Sequence, residues 1–292
     1  MKVAIYGLKA SQKQKEYFQS FFRELTNRNI SFTIDRDFKS ILESHLSLEL
    51  TESGVFSSYT DLQKDIDLFF TFGGDGTILS AATIIQDKNI PIVGVNTGRL
   101  GFLATINVEF LFESLDAIFS GDYKLSSRSL LSMHSNEIEI ELPFALNEVA
   151  LTRRETTSMI TIEAHLNGEF LNSYWADGLI ISTPTGSSGY SLSCGGPIIH
   201  PENKSFVVTA IAPHNLNVRP FVISDDSVLD LKVKSRVGEF FLSMDARNKP
   251  LSSTVHLQIK KASFQIHIVE PKDKNYLKTL REKMFWGSDR RN

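Results

Sequence analysis

The chain has 292 residues, a formal net charge of −3, 41% hydrophobic and 22% charged residues. That mix buries a sizeable core and excludes wholesale disorder, and its slightly acidic balance speaks against a basic nucleic-acid-binding surface over the whole chain. A single cysteine, Cys194, excludes an internal disulfide and a cysteine-rich zinc site, and the seven histidines form no His-Glu-x-x-His helix.

The opening MKVAIYG passes straight into a structured pattern without a signal-peptide profile. No run approaches the ~20 apolar residues that span a bilayer. A soluble, cytoplasmic protein with no membrane or nucleic-acid partner is expected. Residues 2–6 read as a strand stopped by Gly7. Residues 11–28 read as a helix with Tyr17, Phe18, Phe21, Phe22 and Leu25 near one face, and 30–34 as a second strand. A helical stretch follows at 38–46. Residues 67–72 form a third strand that ends in a glycine-rich turn, with a helix at 78–86 beyond it. A fourth strand at 91–95 and a helix at 108–119 complete the alternation. This rhythm predicts a Rossmann-like, three-layer α/β domain with a parallel sheet over residues 1–122.

Near Asp122 the rhythm changes to short β-rich runs at 138–142, 144–151, 159–166, 179–182, 206–211, 228–233, 239–244, 255–259 and 264–269. Asn167-Gly168, between Leu166 and Glu169, is a hairpin signal. Residues 123–271 are therefore expected to form an antiparallel, sandwich-like β domain. A last helical pattern places Tyr276, Leu277, Leu280 and Met284 on one face. Residues 272–292 are expected to pack back on the N-terminal domain, with 289–292 frayed.

Three segments carry chemistry. Gly73-Gly74-Asp75-Gly76-Thr77 follows a strand and opens a helix, the place where glycine lets the backbone approach a ligand and helix amides favour an anion. Gly73, Gly74, Gly76 and Thr77 are candidate phosphate-cradling residues. Asp75 is a cap, a metal or hydroxyl partner, or a base. The turn is neither a dinucleotide fingerprint, since Leu79 occupies the third glycine position, nor a Walker A loop, since no glycine precedes a lysine. The second segment, Asp177 to Pro197, opens from a buried strand into small hydroxyl and glycine residues suited to sugar, phosphate or adenine recognition. It lacks a Gly-x-Ser-x-Gly elbow because Tyr190 stands two positions after Ser188. Cys194 is read as a packing residue. In the third segment, Asn147-Glu148, one of two polar neighbours faces inward or into a cleft, and a buried carboxylate there needs a partner. A strand end or edge is the alternative.

Gly73-Gly74-Asp75-Gly76-Thr77, Val95-Asn96-Thr97-Gly98-Arg99-Leu100-Gly101-Phe102-Leu103, Asn147-Glu148, Asp177-Gly178, Thr183-Pro184-Thr185-Gly186-Ser187 and Gly195-Gly196-Pro197, in this order, resemble the NAD kinase family. The first motif alone is shared with diacylglycerol and sphingosine kinases. The resemblance implies transfer of the γ-phosphate of ATP to the adenosine ribose 2′-hydroxyl of NAD, giving NADP and ADP. It also implies a divalent metal, Mg²⁺, held through the substrate phosphates with no metal ligands from the chain, and a homo-oligomer, dimer or tetramer. By the same resemblance Asp75 is the proton acceptor and Gly76 an adjacent backbone contact. Asn147 and Glu148 contact the dinucleotide, and Asp177 can reach a neighbouring subunit's site. Ser188, Gly189, Tyr190, Ser191, Leu192 and Ser193 line the adenine and ribose pocket, with Ala212 a further contact. The implied site lies in the crevice between the two domains.

Departures from the family pattern are Ser188-Gly189-Tyr190 for Thr-Ala-Tyr, Ser80 for a basic residue, and Asp245-Ala246-Arg247 for an Asp-Gly-Gln-like segment. Arg247 there is a candidate phosphate or subunit contact. A lipid kinase lacks support from any basic amphipathic segment, and a non-catalytic NAD(P) sensor is the other rival.

Overall fold

The structure, a computed structural model, describes residues 1–50, 54–98, 101–155, 158–272 and 276–285. The expected tail at 289–292 lies outside them, as do Arg99 and Leu100. The chain divides into two compact units, Met1–Ser127 with Ile266–Asn292, and Arg128–Gln265.

In the first unit five strands run parallel in the spatial order Gly54–Phe56, Ser31–Asp35, Lys2–Gly7, Leu68–Gly73, Ile92–Asn96. The chain builds outward from Lys2–Gly7 in one direction and then returns to add strands on its other side. Strand order thus reverses between Lys2–Gly7 and Leu68–Gly73. The carboxyl ends of such a pair are where connections diverge and where open α/β sheets take ligands. Gly73 is the last residue of the second of these strands.

Helices cover both sheet faces. Phe18, Phe21, Phe22 and Leu25 of helix Lys15–Asn27 pack with Val3, Ile5, Phe70 and Phe72 in one core. Phe72 is the aromatic centre, with ring centroids 5.1 Å from both Phe18 and Phe21. Helix Asp75–Ile85 lies on the opposite face, where Ile78 sits over Gly94, the residue between the core-facing Val93 and Val95. Helix Arg36–Leu46 starts earlier than its apolar pattern, because Asp35 ends a strand and caps it, accepting from the Phe38 amide at 3.0 Å. The glycine motif also differs from its reading as a loop. Gly74 is the helix N-cap, and Asp75, Gly76 and Thr77 form the first helical turn. The closing helix Tyr276–Met284 sets its Tyr276 ring 6.2 Å from Phe102 and buries Leu280. Leu277, expected on the same face, is 54% exposed.

In the second unit six antiparallel strands lie in the order Phe221–Ser224, Ser205–Ile211, Gly178–Ser182, Glu148–Arg153, Glu239–Met244, Arg247–Ser252. A second antiparallel set runs Glu169–Ala176, Ile160–Leu166, Leu229–Lys234 and the first part of His256–Pro271. Alternate residues of both sets, such as Val149, Ile181, Phe240, Ile162 and Leu231, share one core. The fold class is thus α/β plus an antiparallel β sandwich.

The Asn167-Gly168 hairpin forms as read, with both residues at positive φ and Leu166 opposite Glu169. Other expectations are corrected. Residues 138–142 form no strand. The run 144–151 breaks at Leu146-Asn147 into Phe144–Ala145 and Glu148–Arg153, and the runs at 255–259 and 264–269 are one strand, His256–Pro271. Strands Tyr123–His134 and Arg247–Ser252 have no clear apolar alternation. The latter is an edge strand carrying Lys249 and Pro250, which edges tolerate.

Because Phe72 both centres the core and leads into Gly73, Phe72→Ala is expected to lower stability by roughly 3–5 kcal/mol. Urea unfolding followed by circular dichroism measures it.

Candidate active site

The turn after Phe72 is shaped by contact rather than by flexibility. A Cβ at Gly73 would collide with the Thr77 hydroxyl, so only glycine lets the helix start this close to the strand. Gly74 and Gly76 are exposed with nothing near them, and no side chain caps the helix. Thr77 departs from the expected cradle, since it is buried and its amide donates to the Gly74 carbonyl at 3.0 Å, which leaves the exposed start of the turn at Gly74 and Gly76 to face an anion. Ser80, where a base was absent from the pattern, bonds back to the Gly76 carbonyl at 3.1 Å.

Asp75 does not cap its own helix. Its Oδ1 accepts from the amides of Leu103 (2.9 Å) and Ala104 (3.0 Å), and its Oδ2 from that of Phe102 (2.8 Å). It thereby ties the first motif to the segment that follows strand Ile92–Asn96. Gly101 is obligatory there, since a Cβ would collide with Asp75 Oδ1. Two carboxylate oxygens offer about four acceptor sites. Three are used, and the remaining one is on Oδ2. Asp75 is therefore a clamp between the two segments that still has an acceptor site to spare.

In the second unit, Asn147 and Glu148 sit at the break between Phe144–Ala145 and Glu148–Arg153. The hydroxyl-rich segment fastens them. The Thr183 hydroxyl donates to the Leu146 carbonyl at 2.6 Å and accepts from the Gly186 amide at 3.1 Å, while the Thr183 amide donates to the Asn147 carbonyl at 2.9 Å. A Cβ at Gly186 would strike that same carbonyl. With their main chain so held, Asn147 Oδ1 and Glu148 Oε2 are enclosed without a hydrogen-bond partner among the described residues. The partner expected for a buried carboxylate is not supplied by the described residues. Burial first, and the nearby Asp245 charge second, push the Glu148 carboxyl up to about 7.

Gly189 lies against this pair. A Cβ built on it would stand 3.5 Å from Glu148 Oε2 and 3.9 Å from Asn147 Nδ2. Tyr190 and Asp177 are close enough to interact electrostatically, and Asp177 is paired with Arg153 at 3.0 Å. The structure thus gathers Asn147, Glu148, Asp177, Gly189 and Tyr190, with half-buried Ser188 and Leu192 beside them in chain and Ser193 exposed. Ser191 departs from its expected role. It is fully buried and its hydroxyl bonds to that of Thr209 at 3.0 Å, so it serves the fold. Ser187 is likewise spent on Pro184 and Ile199. Ala212 is exposed at a left-handed φ of 43°. Burial pushes the half-buried Cys194 thiol up, as suits a packing residue.

Arg247 is half-buried, donates to the carbonyls of Leu142 and Phe144, and lies over the Phe144 ring, so its guanidinium is engaged within the chain. Asp245, which the sequence reading passed over as part of a departed motif, accepts from the amides of Leu146, Asn147 and Glu148. Among the described residues no group of three or more His, Cys, Asp or Glu side chains could hold a metal ion.

An α/β unit with this reversal of strand order, an exposed glycine turn that opens a helix and an adjacent carboxylate is an arrangement of the nucleotide-handling α/β class. Its missing third glycine sets it apart from dinucleotide-dependent oxidoreductases. Sequence models of the ATP-NAD kinase N-terminal and C-terminal domains match residues 3–123 and 146–270, so the chain belongs to the ATP-NAD kinase family. It is 48% identical over 290 residues to an NAD kinase of Cytophaga hutchinsonii, with 99% of each chain covered. Its fold is similar to that of yeast NADH kinase, solved with NADH, at a TM-score of 0.89 and 22% identity, covering 99% of this chain and 88% of the other. It is also similar to an NAD kinase from Archaeoglobus fulgidus, solved with ATP, at a TM-score of 0.75 and 22% identity, covering 98% and 99%.

Two outcomes test the geometry. Gly101→Ala should dislodge the Asp75 carboxylate and lower turnover by about 10²-fold, the scale of a misplaced catalytic group, as read by steady-state kinetics. Glu148 is a stability question. An unfolded chain ionises it near 4.5, whereas the native state keeps the proton up to about 7. Native protein therefore holds more protons in that window, and this group's contribution to stability falls as pH rises through it. Glu148→Gln should gain on the order of 3 kcal/mol at pH 8 relative to its effect at pH 4.5, measured by urea unfolding at both pH values.

Proposed function

We infer that the chain transfers the γ-phosphate of ATP to the 2′-hydroxyl of the adenosine ribose of NAD, giving NADP and ADP. The observation that carries this reading is the enclosed, unpartnered pair Asn147 Oδ1 and Glu148 Oε2. Two buried acceptors are costly unless a ligand brings donors, and the ribose hydroxyls of a dinucleotide are donors of that kind. Family membership and the Cytophaga hutchinsonii relative named NAD kinase support the substrate.

Phosphoryl transfer is mostly positioning and charge stabilisation. The amides at Gly74 and Gly76 hold phosphate oxygens, while that of Thr77 stays on the Gly74 carbonyl and closes the turn. Asp75 uses its open Oδ2 site to orient the attacking hydroxyl and take its proton, while its other contacts keep the carboxylate in place. Gly189 gives the ribose room beside Glu148, Tyr190 with Ser188, Leu192 and Ser193 lines the nucleoside pocket, and Ala212 and Asp177 add contacts at its rim. A divalent ion, Mg²⁺, enters as part of the ATP substrate and offsets phosphate charge. The described residues offer no ligand cluster that fits a resident ion.

A homo-oligomer in the cytoplasm completes the reading. Its support is apolar surface on the second unit, where Phe170, Trp175, Leu216, Phe221 and Val222 are exposed.

The test is purified protein with NAD, ATP and Mg²⁺, NADP being read by a coupled dehydrogenase. Product is expected. Binding of NAD without product would favour a sensor, and labelling of lipid instead would favour a lipid kinase. Asp75→Asn should keep NAD binding and lose about 10²-fold or more in turnover; near-normal turnover would remove Asp75 from the chemistry.

A further inference from the structure

We propose that Asp245 is the positioning residue of the dinucleotide site, holding by its buried carboxylate the bend of chain from which Asn147 and Glu148 reach the ligand. The proposal rests on the reading of those two side chains as nucleoside contacts.

Asp245 lies in the turn between strands Glu239–Met244 and Arg247–Ser252, 97 residues beyond Glu148. Its Oδ2 accepts from the Leu146 amide at 3.0 Å, and its Oδ1 from the amides of Asn147 (2.8 Å) and Glu148 (3.3 Å). Its own amide donates to the Glu148 carbonyl at 3.0 Å. The two remaining main-chain acceptors of the bend, the carbonyls of Leu146 and Asn147, are taken by Thr183. Every main-chain donor and acceptor of Leu146, Asn147 and Glu148 is thus satisfied from outside the bend. What is left for a ligand are the side chains, whose enclosed acceptors Asn147 Oδ1 and Glu148 Oε2 have no partner among the described residues.

Arg247 completes the device. From the same turn it grips the carbonyls of Leu142 and Phe144, just upstream, while standing 4.0 Å from Asp245 Oδ2. The turn therefore holds the chain on both sides of its break. Asp245 adopts a left-handed φ of 53°, a conformation that glycine would take without strain. Aspartate is one of the few other residues that tolerate this conformation in a turn, and its carboxylate, 5% exposed, also meets three converging amides, which glycine could not do. A site held in its ligand-taking shape before binding loses less entropy on binding.

Charge distinguishes this role from mere support. The groups facing Glu148 are Asp245 from the turn and Tyr190 from the short helix Tyr190–Ser193; Asp177, which Arg153 pairs, faces Tyr190. Asp245 is the like charge among them, and it disfavours ionised Glu148. Removing that charge while keeping shape should let Glu148 ionise at lower pH.

The experiment is steady-state kinetics of the full-length protein and its Asp245→Asn variant across pH 6 to 8.5 at saturating ATP and Mg²⁺. The expected result is an NAD KM raised about tenfold or more with kcat within about threefold, and a pH midpoint of kcat/KM for NAD moved to lower pH. A KM within about twofold of the unaltered protein, or a raised KM with an unmoved midpoint, would overturn the proposal. Asn147→Ala separates its failure from that of the underlying reading. If Asn147→Ala leaves the NAD KM unchanged, the ligand does not meet the pair and both fall. If Asn147→Ala raises KM and Asp245→Asn does not, only the positioning role falls. Hydrogen exchange of the unaltered protein gives an answer even if Asp245→Asn fails to fold. The amides of Leu146, Asn147 and Glu148 should be protected before NAD is added. Exchange as fast as in exposed loops, slowed only by NAD, would contradict the proposal.

Discussion

A buried carboxylate needs donors, and in both units of this chain the donors are main-chain amides of a distant segment. Asp75 takes those of Phe102, Leu103 and Ala104; Asp245 takes those of Leu146, Asn147 and Glu148. Such charge-assisted bonds are short and strong relative to neutral ones. They fasten irregular chain as firmly as a sheet ladder would, and they do so where reaction requires irregular chain. The rest of the architecture serves these two anchors. The aromatic core around Phe72 fixes the strand end that launches Asp75, and the pairing of Glu239–Met244 with Glu148–Arg153 brings Asp245 beside its three amides.

The two anchors leave different things free. At Asp75 one acceptor site of Oδ2 stays open, so the same carboxylate that holds the loop can meet a hydroxyl. At Asp245 the corresponding side of Oδ2 stands 4.0 Å from Arg247 Nη2, and the unpartnered acceptors belong to the neighbours it holds. Glu148 is the expensive member. Its proton stays bound to about pH 7, so near neutrality the free protein carries either an enclosed acid or an enclosed charge. Its contribution to stability falls as pH rises through that range, a cost that the proposed ligand contact would account for.

Much of this was legible in the residues. Strand and helix alternation up to Asp122 follows from two distinct apolar periods, and Asn167-Gly168 announces its hairpin because both residues accept positive φ. The motif Gly73 to Thr77 is readable since glycine there answers to a single collision with Thr77. What could not be read is long in sequence separation. Nothing local to Asp75 points to Phe102, and nothing local to Asp245 points to Asn147. The buried hydroxyl of Ser191 looks in sequence like those of Ser188 and Ser193, and only packing against Thr209 separates its role from theirs. Arg247–Ser252 hid as a strand because an edge needs no apolar alternation.

The most direct test of the account is a solved complex of the full chain with NAD and a non-hydrolysable ATP analogue. It should place Asp75 Oδ2 within about 3.2 Å of the adenosine 2′-oxygen, with the amides of Leu103 and Ala104 still bonded to Oδ1. A carboxylate turned away from the sugar, with the ribose held by other groups, would contradict it.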